Sequence, residues 1–318
     1  IDVNLGVVYS SLGAPISEVK AGPDSDRFSL VYAGKLMGLC AYGNVRKDWL
    51  TAMRVFYYTG ELSVLGKSIG LNLSMNNISG QNSYDLAATS QFVFEERTFE
   101  ILIPLLENYS FPNVVLVGGC ALNVLFNQKL ADYLISYNSE LYVPPNPNDC
   151  GLSLGQFLLE HPHHTDTLTY NGFKLLDIDE LDVYIDEYNA IPIDVMGIVT
   201  LLKSGNIIGM VTGDSEIGPR ALGNRSIICD PSFPDMKDTL NAKVKFREWF
   251  RPFAPVCRLL DSKKYFNDVF DSPCMSHAPT INNKYKVELS SITHADNTAR
   301  LQTTTETQHI GFYDILTE

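Results

Sequence analysis

Long apolar runs are missing from this sequence. No stretch approaches the roughly 20 consecutive apolar residues that a membrane-spanning helix needs, so no segment is expected to cross a bilayer. Residues 1–10 carry no basic flank ahead of their apolar side chains and do not read as a secretory signal. Cysteine is sparse: the six (Cys40, Cys120, Cys150, Cys229, Cys257, Cys274) form no C-x-x-C pair and stand at no zinc-finger spacing from histidine. That excludes the common structural zinc motifs, and free, buried thiols in a reduced cytoplasmic protein are the expectation. Basic residues are outnumbered, 24 against 37 acidic ones, and a net charge of −13 repels polyphosphate backbones. A broad nucleic-acid surface is therefore not expected. Internal repeats and low-complexity tracts are absent as well.

What is present fits a globular chain of two domains. The length of 318 residues suffices for two cores, and 45% apolar with 19% charged residues is an ordinary globular composition. Residues 84–109 have helical periodicity and meet a breaker at Ser110-Phe111-Pro112. Residues 114–117 are wholly apolar and predict a strand buried on both faces. Helical spacing resumes over residues 121–134, a second strand is predicted at 141–143, and a Pro-rich loop at 144–148 leads into a helix at about 152–159. Residues 161–170 lack periodicity and read as a linker. Their His161, His163 and His164 are better read as a polar hinge than as metal ligands, since no carboxylate or thiolate stands at ligand spacing. Beyond it come a helix at 195–203, a strand at 206–211 and helical spacing over 234–243.

One stretch runs against the acidic background. In residues 217–258, eight cations (Arg220, Arg225, Lys237, Lys243, Lys245, Arg247, Arg251, Arg258) meet four carboxylates (Asp230, Asp235, Asp238, Glu248). Such an island is commonly a solvated face; interleaved with Gly, Pro and aromatics it points instead to an anion pocket. Val244-Lys245-Phe246-Arg247 alternates, so period two puts Lys243, Lys245 and Arg247 on one face and anchors Val244 and Phe246 in the core. Gly218-Pro219 fixes a turn that presents Arg220, and guanidinium groups suit bidentate contact with phosphate. Bringing Arg220, Lys245, Arg247 and Arg251 together would be costly without a compensating anion, and a phosphate is the natural one.

Three weaker motifs accompany it. Val117-Gly118-Gly119-Cys120-Ala121-Leu122-Asn123 runs from a strand through a glycine pair into a helix, which offers free amides to a nucleotide but equally suits tight packing. Asp149 follows the next strand, and by spacing alone it is a helix cap. Residues 33–43, with Gly34, Lys35, Gly38 and Gly43, read as a loop able to wrap phosphate or ribose, or as a plain turn, without Walker A spacing.

Taken in order, Gly213-x-x-Glu-x-Gly-Pro-Arg-Ala-Leu-Gly-Asn-Arg-Ser226, Met236-Lys-Asp238, Asn241, Val244-Lys-Phe-Arg-Glu248, Phe250-Arg-Pro-Phe-Ala-Pro255 and Thr293-His-Ala-Asp-Asn-Thr-Ala-Arg-Leu-Gln-Thr303 resemble the signature of the NodU/CmcH/TobZ family of O-carbamoyltransferases. The Gly34, Gly118 and Asp149 motifs fall at the matching places. The resemblance implies an α/β fold: a partial actin-like (RNase H-like) ATPase lobe over residues 1–168 for carbamoyl transfer, then a YrdC-like domain over 169–318 that forms carbamoyl adenylate. It implies carbamoyl phosphate, ATP with Mg2+, and a hydroxylated acceptor as partners, iron as a metal cofactor, and leaves room for a homodimer. Lys245, Arg247, Arg251 and Arg300 would cradle carbamoyl phosphate and the departing phosphates, and Arg220 would support the nucleotide. Gly34, Lys35, Gly118, Gly119 and Asn123 would hold the adenylate, and Asp149 would be an iron ligand. The family's histidine pair belongs before the equivalent of Leu5 and its Ser-x-Asn motif after the Arg300 segment, so the pattern is expected to extend past both ends; Asp214 stands where the family usually has arginine. Threonylcarbamoyl transfer to tRNA and an inactive nucleotide-binding module are the alternatives.

Overall fold

A computed structural model describes residues 4–20, 22, 25–109, 111, 113–162, 169–177 and 179–318. It is a mixed α/β structure in two compact units, each assembled from separate stretches of chain. The first comprises Ile1–Asn113, Asp238–Pro252 and His294–Asp296; the second comprises Val114–Lys237, Phe253–Thr293 and Asn297–Glu318. These units are drawn by packing and do not follow the chain-order division at residue 168. Most of the expected linker, residues 163–168 with His163 and His164, lies outside the described residues.

The first unit is helical. Its spine is the helix Gln81–Asn108, close to the predicted 84–109, whose Leu86 and Phe94 are buried; Ser110 and Pro112 of the predicted breaker are outside the described residues. Leu5–Ser11, capped by Asn4 accepting from the Val7 amide, packs on this spine through Tyr9: the ring lies 5.1 Å from Phe94 and the hydroxyl donates to Gln91 at 2.7 Å. Leu50–Thr59 adds Tyr57, whose hydroxyl meets Ser90 Oγ at 2.9 Å. Burial of such aromatics contributes about 1.5–3 kcal/mol each. The helix Val31–Leu39 contains Gly34, Lys35 and Gly38, so the phosphate-wrapping loop expected there is instead a helix.

Among the described residues the second unit holds three two-stranded pairs: β1 (Asn113–Val115, which enters it from the first unit) with β2 (Glu140–Tyr142), β3 (Ile208–Val211) with β4 (Arg225–Ile228), and β5 (Val256–Arg258) with β6 (Gln302–Thr304). β3 and β4 are antiparallel with Val211 opposite Arg225; β5 and β6 are parallel with Cys257 opposite Thr303. Around β5 and β6 lies a core of Cys257, Phe266, Ile281, Ile292, Ala299 and Leu301. β6 is buried although polar, because its side chains are satisfied: Thr303 donates to Asp271 at 2.6 Å and Gln302 donates to the Leu222 carbonyl at 2.8 Å. The helices Val124–Leu134, Leu152–Glu160 and Val195–Lys203 stand close to where periodicity puts them. The stretch 114–117 does not meet the burial expectation: Val115, in β1, and Val117, beyond its end, are both 62% exposed. Among the described residues no helix is long and apolar enough to cross a membrane.

Candidate functional site

The Gly-Pro-Arg segment in the second unit is built around a buried carboxylate. Glu216, with a fully buried side chain, accepts from the backbone amides of Leu222 at 2.7 Å and Asn224 at 2.8 Å and from Arg225 Nε at 2.7 Å. Arg225 Nη2 donates to the carbonyls of Gly218 and Arg220 at 3.0 and 3.2 Å, so one ion pair ties down both ends of the turn. Burial pushes the Glu216 carboxyl up, but these donors outweigh it and hold the group below its usual range. Two glycines are dictated by geometry. Gly218 has φ +117° and a Cβ there would lie 2.4 Å from the Pro145 carbonyl; Gly223 has φ +135° and a Cβ would strike His309.

Arg220 lines a small, partly open cleft whose walls include Ala121, Leu122, Pro145, Pro147 and Ser276. The structure therefore brings Arg220 beside the residues that follow the glycine pair. Gly118, with φ +95°, donates to the Pro147 carbonyl at 2.6 Å, and neither Gly118 nor Gly119 has any atom within 4 Å of a built Cβ. Tight packing does not account for the pair. Asn123 caps Val124–Leu134 by accepting from the Phe126 amide at 3.1 Å, which gives it a structural duty independent of any ligand. In the Pro-rich loop, Asn146 Nδ2 and Asn148 Oδ1 are buried without a hydrogen-bond partner, polar atoms that a ligand or water would satisfy. Asp149 is exposed on a 3₁₀ turn ahead of Leu152–Glu160, whose N-cap is Gly151 with no side-chain cap bond. The helix-cap reading of Asp149 is thereby corrected. Among the described residues no three His, Cys, Asp or Glu side chains come together to hold an ion.

Lys243, Lys245, Arg247 and Arg251 of the basic stretch belong to the first unit, and there the alternating-strand expectation fails. Residues 240–244 form a π turn after the short helix Met236–Thr239. The Lys245 amide donates to the Leu240 carbonyl and the Arg247 amide to the Asn241 carbonyl. Phe246 is forced to φ +48° and is 81% exposed, so it anchors nothing; Phe250, fully buried, is the anchor. The organiser is Asn241, 2% exposed, which accepts from Arg247 Nε at 2.7 Å and donates to the Arg251 carbonyl at 3.1 Å. Lys245 is exposed, whereas Arg247 is partly buried and also donates to the Pro252 carbonyl at 3.3 Å.

Glu248 gathers the cations. Lys35 Nζ lies 2.5 Å from its Oε1 and Arg251 Nη1 lies 3.6 Å from its Oε2. Lys35 also donates to the Lys20 carbonyl. Burial raises the Glu248 carboxyl, but Lys35 and Arg251 win and hold it below its usual range. Arg247 is pushed down to about 10 by burial and by Arg251, with Glu248 offsetting only part of this. The structure thus groups Lys35 with Arg247 and Arg251, while Arg300 and Arg220 belong to the second unit. The sequence does not reveal Glu216, Asn241 and Glu248 as organisers: Glu248 counts there only as opposing charge, and Glu216 and Asn241 only as letters of the signature.

Gly34 offers a clean test of space kept for a ligand. It is helical, and a Cβ built on it meets nothing within 4 Å. Gly34→Ala is expected to raise stability by about 0.5–1 kcal/mol, the ordinary gain of Ala over Gly in a helix. A raised Tm with weakened nucleotide binding, followed by fluorescence titration, is the result expected if the space is functional. A raised Tm with unchanged binding removes Gly34 from the site.

The family model described as Carbamoyltransferase N-terminus matches residues 2–158, and that described as Carbamoyltransferase C-terminus matches residues 199–318. The chain is 27% identical over 347 residues to Nodulation protein U of Sinorhizobium fredii, an alignment covering 98% of this chain and 59% of that protein. Nodulation protein U of Rhizobium tropici is 26% identical over 340 residues, 99% of this chain and 58% of its own length. The 3'-hydroxymethylcephem-O-carbamoyltransferase of Streptomyces clavuligerus is 33% identical over 204 residues, covering 63% of this chain and 38% of that enzyme. The chain spans less than two thirds of the length of each of these relatives. With both halves of the family pattern matched in order along it, the chain belongs to the carbamoyltransferase family.

Proposed function

We propose that this chain is part of an ATP-dependent O-carbamoyltransferase. In this reading carbamoyl phosphate, ATP and one water yield carbamoyl adenylate, pyrophosphate and phosphate, and the carbamoyl group then passes to a hydroxyl of a small-molecule or nucleoside acceptor, with AMP as the leaving group and the hydroxyl proton released. Family membership supports a transferase, and the name of the Streptomyces relative specifies O-carbamoylation. The observation that carries the phosphate part is the charge imbalance around Glu248. One carboxylate serves Lys35 and Arg251, with Arg247 half-buried in the same segment. A phosphate would relieve that excess, and planar guanidinium forks suit its oxygens.

On this reading Lys35, Lys245, Arg247 and Arg251, all of the first unit, hold the donor phosphate. The Arg220 cleft, beside Gly118 and Gly119, takes the nucleotide with its Mg2+. The actin-like and YrdC-like character of the two halves belongs to the same proposal. No step is assigned to iron, because the described residues do not complete a site for it. The test is carbamoyl-phosphate-dependent release of pyrophosphate from ATP by the full-length protein, followed by radiolabelled carbamoyl transfer to a panel of hydroxylated acceptors. ATP binding without either reaction would reduce the chain to a nucleotide-binding module.

A further inference from the structure

His294 lies outside every role assigned so far. It is 7% exposed, and with Ala295 and Asp296 it forms a short excursion of the chain that packs in the first unit, the unit that carries the basic segment. Its ring stands edge-on to Tyr42 at 5.6 Å, and Tyr42 stands edge-on to Trp249 at 4.9 Å. Two ring contacts therefore connect His294 with the residue that follows Glu248. Its Nδ1 faces Asp296 Oδ1 at 3.6 Å, while its Nε2 is buried with no hydrogen-bond partner. Buried polar atoms are nearly always satisfied, so this nitrogen is an open position. A carboxylate on the Nδ1 side favours the tautomer with its proton there, which leaves Nε2 as an acceptor.

An acceptor is what the cations of the same unit cannot supply. Lysine and arginine only donate. Both oxygens of Glu248 are engaged, Oε1 by Lys35 and Oε2 by Arg251, and Asn241 Oδ1 is taken by Arg247. A ligand held there by its phosphate that also carried N–H groups would find them unsatisfied unless a further acceptor were present. Resting on the proposed function above, we propose that His294 Nε2 accepts a hydrogen bond from the amide NH2 of carbamoyl phosphate, with Asp296 orienting the ring. His294 is then the residue that distinguishes carbamoyl phosphate from phosphorylated compounds of similar size that lack an N–H. Acetyl phosphate is the natural comparison, since it replaces the NH2 by a methyl and keeps the phosphate.

The experiment is a calorimetric titration of carbamoyl phosphate, acetyl phosphate and inorganic phosphate into the protein and its variants. The unsubstituted protein should prefer carbamoyl over acetyl phosphate. His294→Phe should bind carbamoyl phosphate about tenfold more weakly, the loss of roughly one hydrogen bond in a buried site, and bind the other two ligands as before. His294→Gln, which keeps an acceptor, should recover part of the preference, and Asp296→Asn should lose part of it. Equal weakening for all three ligands, or an unchanged preference in His294→Phe, would overturn the proposal. If His294→Phe melts too early to titrate, the Gln and Asn variants decide by the same criterion: preference shifted supports it, preference unchanged ends it. Should the unsubstituted protein bind none of the three ligands, the carbamoyl-phosphate reading itself fails, a result distinct from loss of selectivity alone.

Discussion

Glu216→Ala is expected to lower the stability of the second unit by about 3 kcal/mol, the range for removing one partner of a buried ion pair. The side chain is fully buried and accepts three hydrogen bonds, so the variant strands the Leu222 and Asn224 amides and frees Arg225 from the turn it braces. Arg225 is 40% exposed and partly rehydrates, which keeps the loss at the lower end for buried pairs. The pH dependence has a definite sign. The folded carboxyl titrates below its ordinary range, so the unfolded chain binds more protons in that interval and the stabilisation is present above the ordinary glutamate pKa. It is lost as the pH falls through the folded value, and Glu216→Ala should flatten that part of the acid profile. Differential scanning calorimetry with hydrogen exchange at Leu222 and Asn224 reads both effects, and exchange is needed because two compact units need not unfold as one. Protection of these amides that survives the substitution would show that the turn holds without the carboxylate.

How much of this was legible beforehand differs from element to element, for physical reasons. The helix Val195–Lys203 is found at its predicted residues because amphipathic spacing is reinforced by a cap, Asp194 accepting from the Gly197 amide at 2.8 Å. The Gly34 segment was misread because glycine density suggests a loop, whereas Tyr32, Leu36 and Leu39 are buried by a helix there. Period two over residues 244–247 rests on four side chains, too few to outweigh a local turn organised by Asn241. Lys35 and Glu248 are separated by 213 residues, so no spacing rule joins them. The long Gly-Pro-Arg signature was legible as a family mark, yet the role of its own glutamate emerges only when the backbone amides of Leu222 and Asn224 turn inward. Asp149 shows the reverse: sequence spacing suggested a cap, and the geometry removes that role.

Lys245 and Arg247 should now part company, although alternation had made them equivalent. Lys245 is exposed, so Lys245→Met is expected to leave the Tm unchanged. If its ammonium meets the donor phosphate, the variant loses a charge-assisted hydrogen bond of about 1.5–3 kcal/mol, or roughly 10- to 150-fold in affinity for carbamoyl phosphate. Arg247→Met should weaken binding over the same range and also lower stability by about 1–3 kcal/mol, because it strands Oδ1 of buried Asn241. Part of that loss is offset, since burial and Arg251 already hold Arg247 at about 10 and make its charge costly in the free protein. Carbamoyl phosphate or inorganic phosphate should for the same reason raise the Tm of the unsubstituted protein, as any ligand of the folded state does, and raise it less in either variant. Arg247→Lys keeps the charge but not the fork that bonds Asn241 and Pro252 together, so it should recover binding better than stability. The decisive comparison is Lys245→Met: full affinity for carbamoyl phosphate at an unchanged Tm would place the phosphate elsewhere, and loss of affinity at an unchanged Tm would place it at this segment.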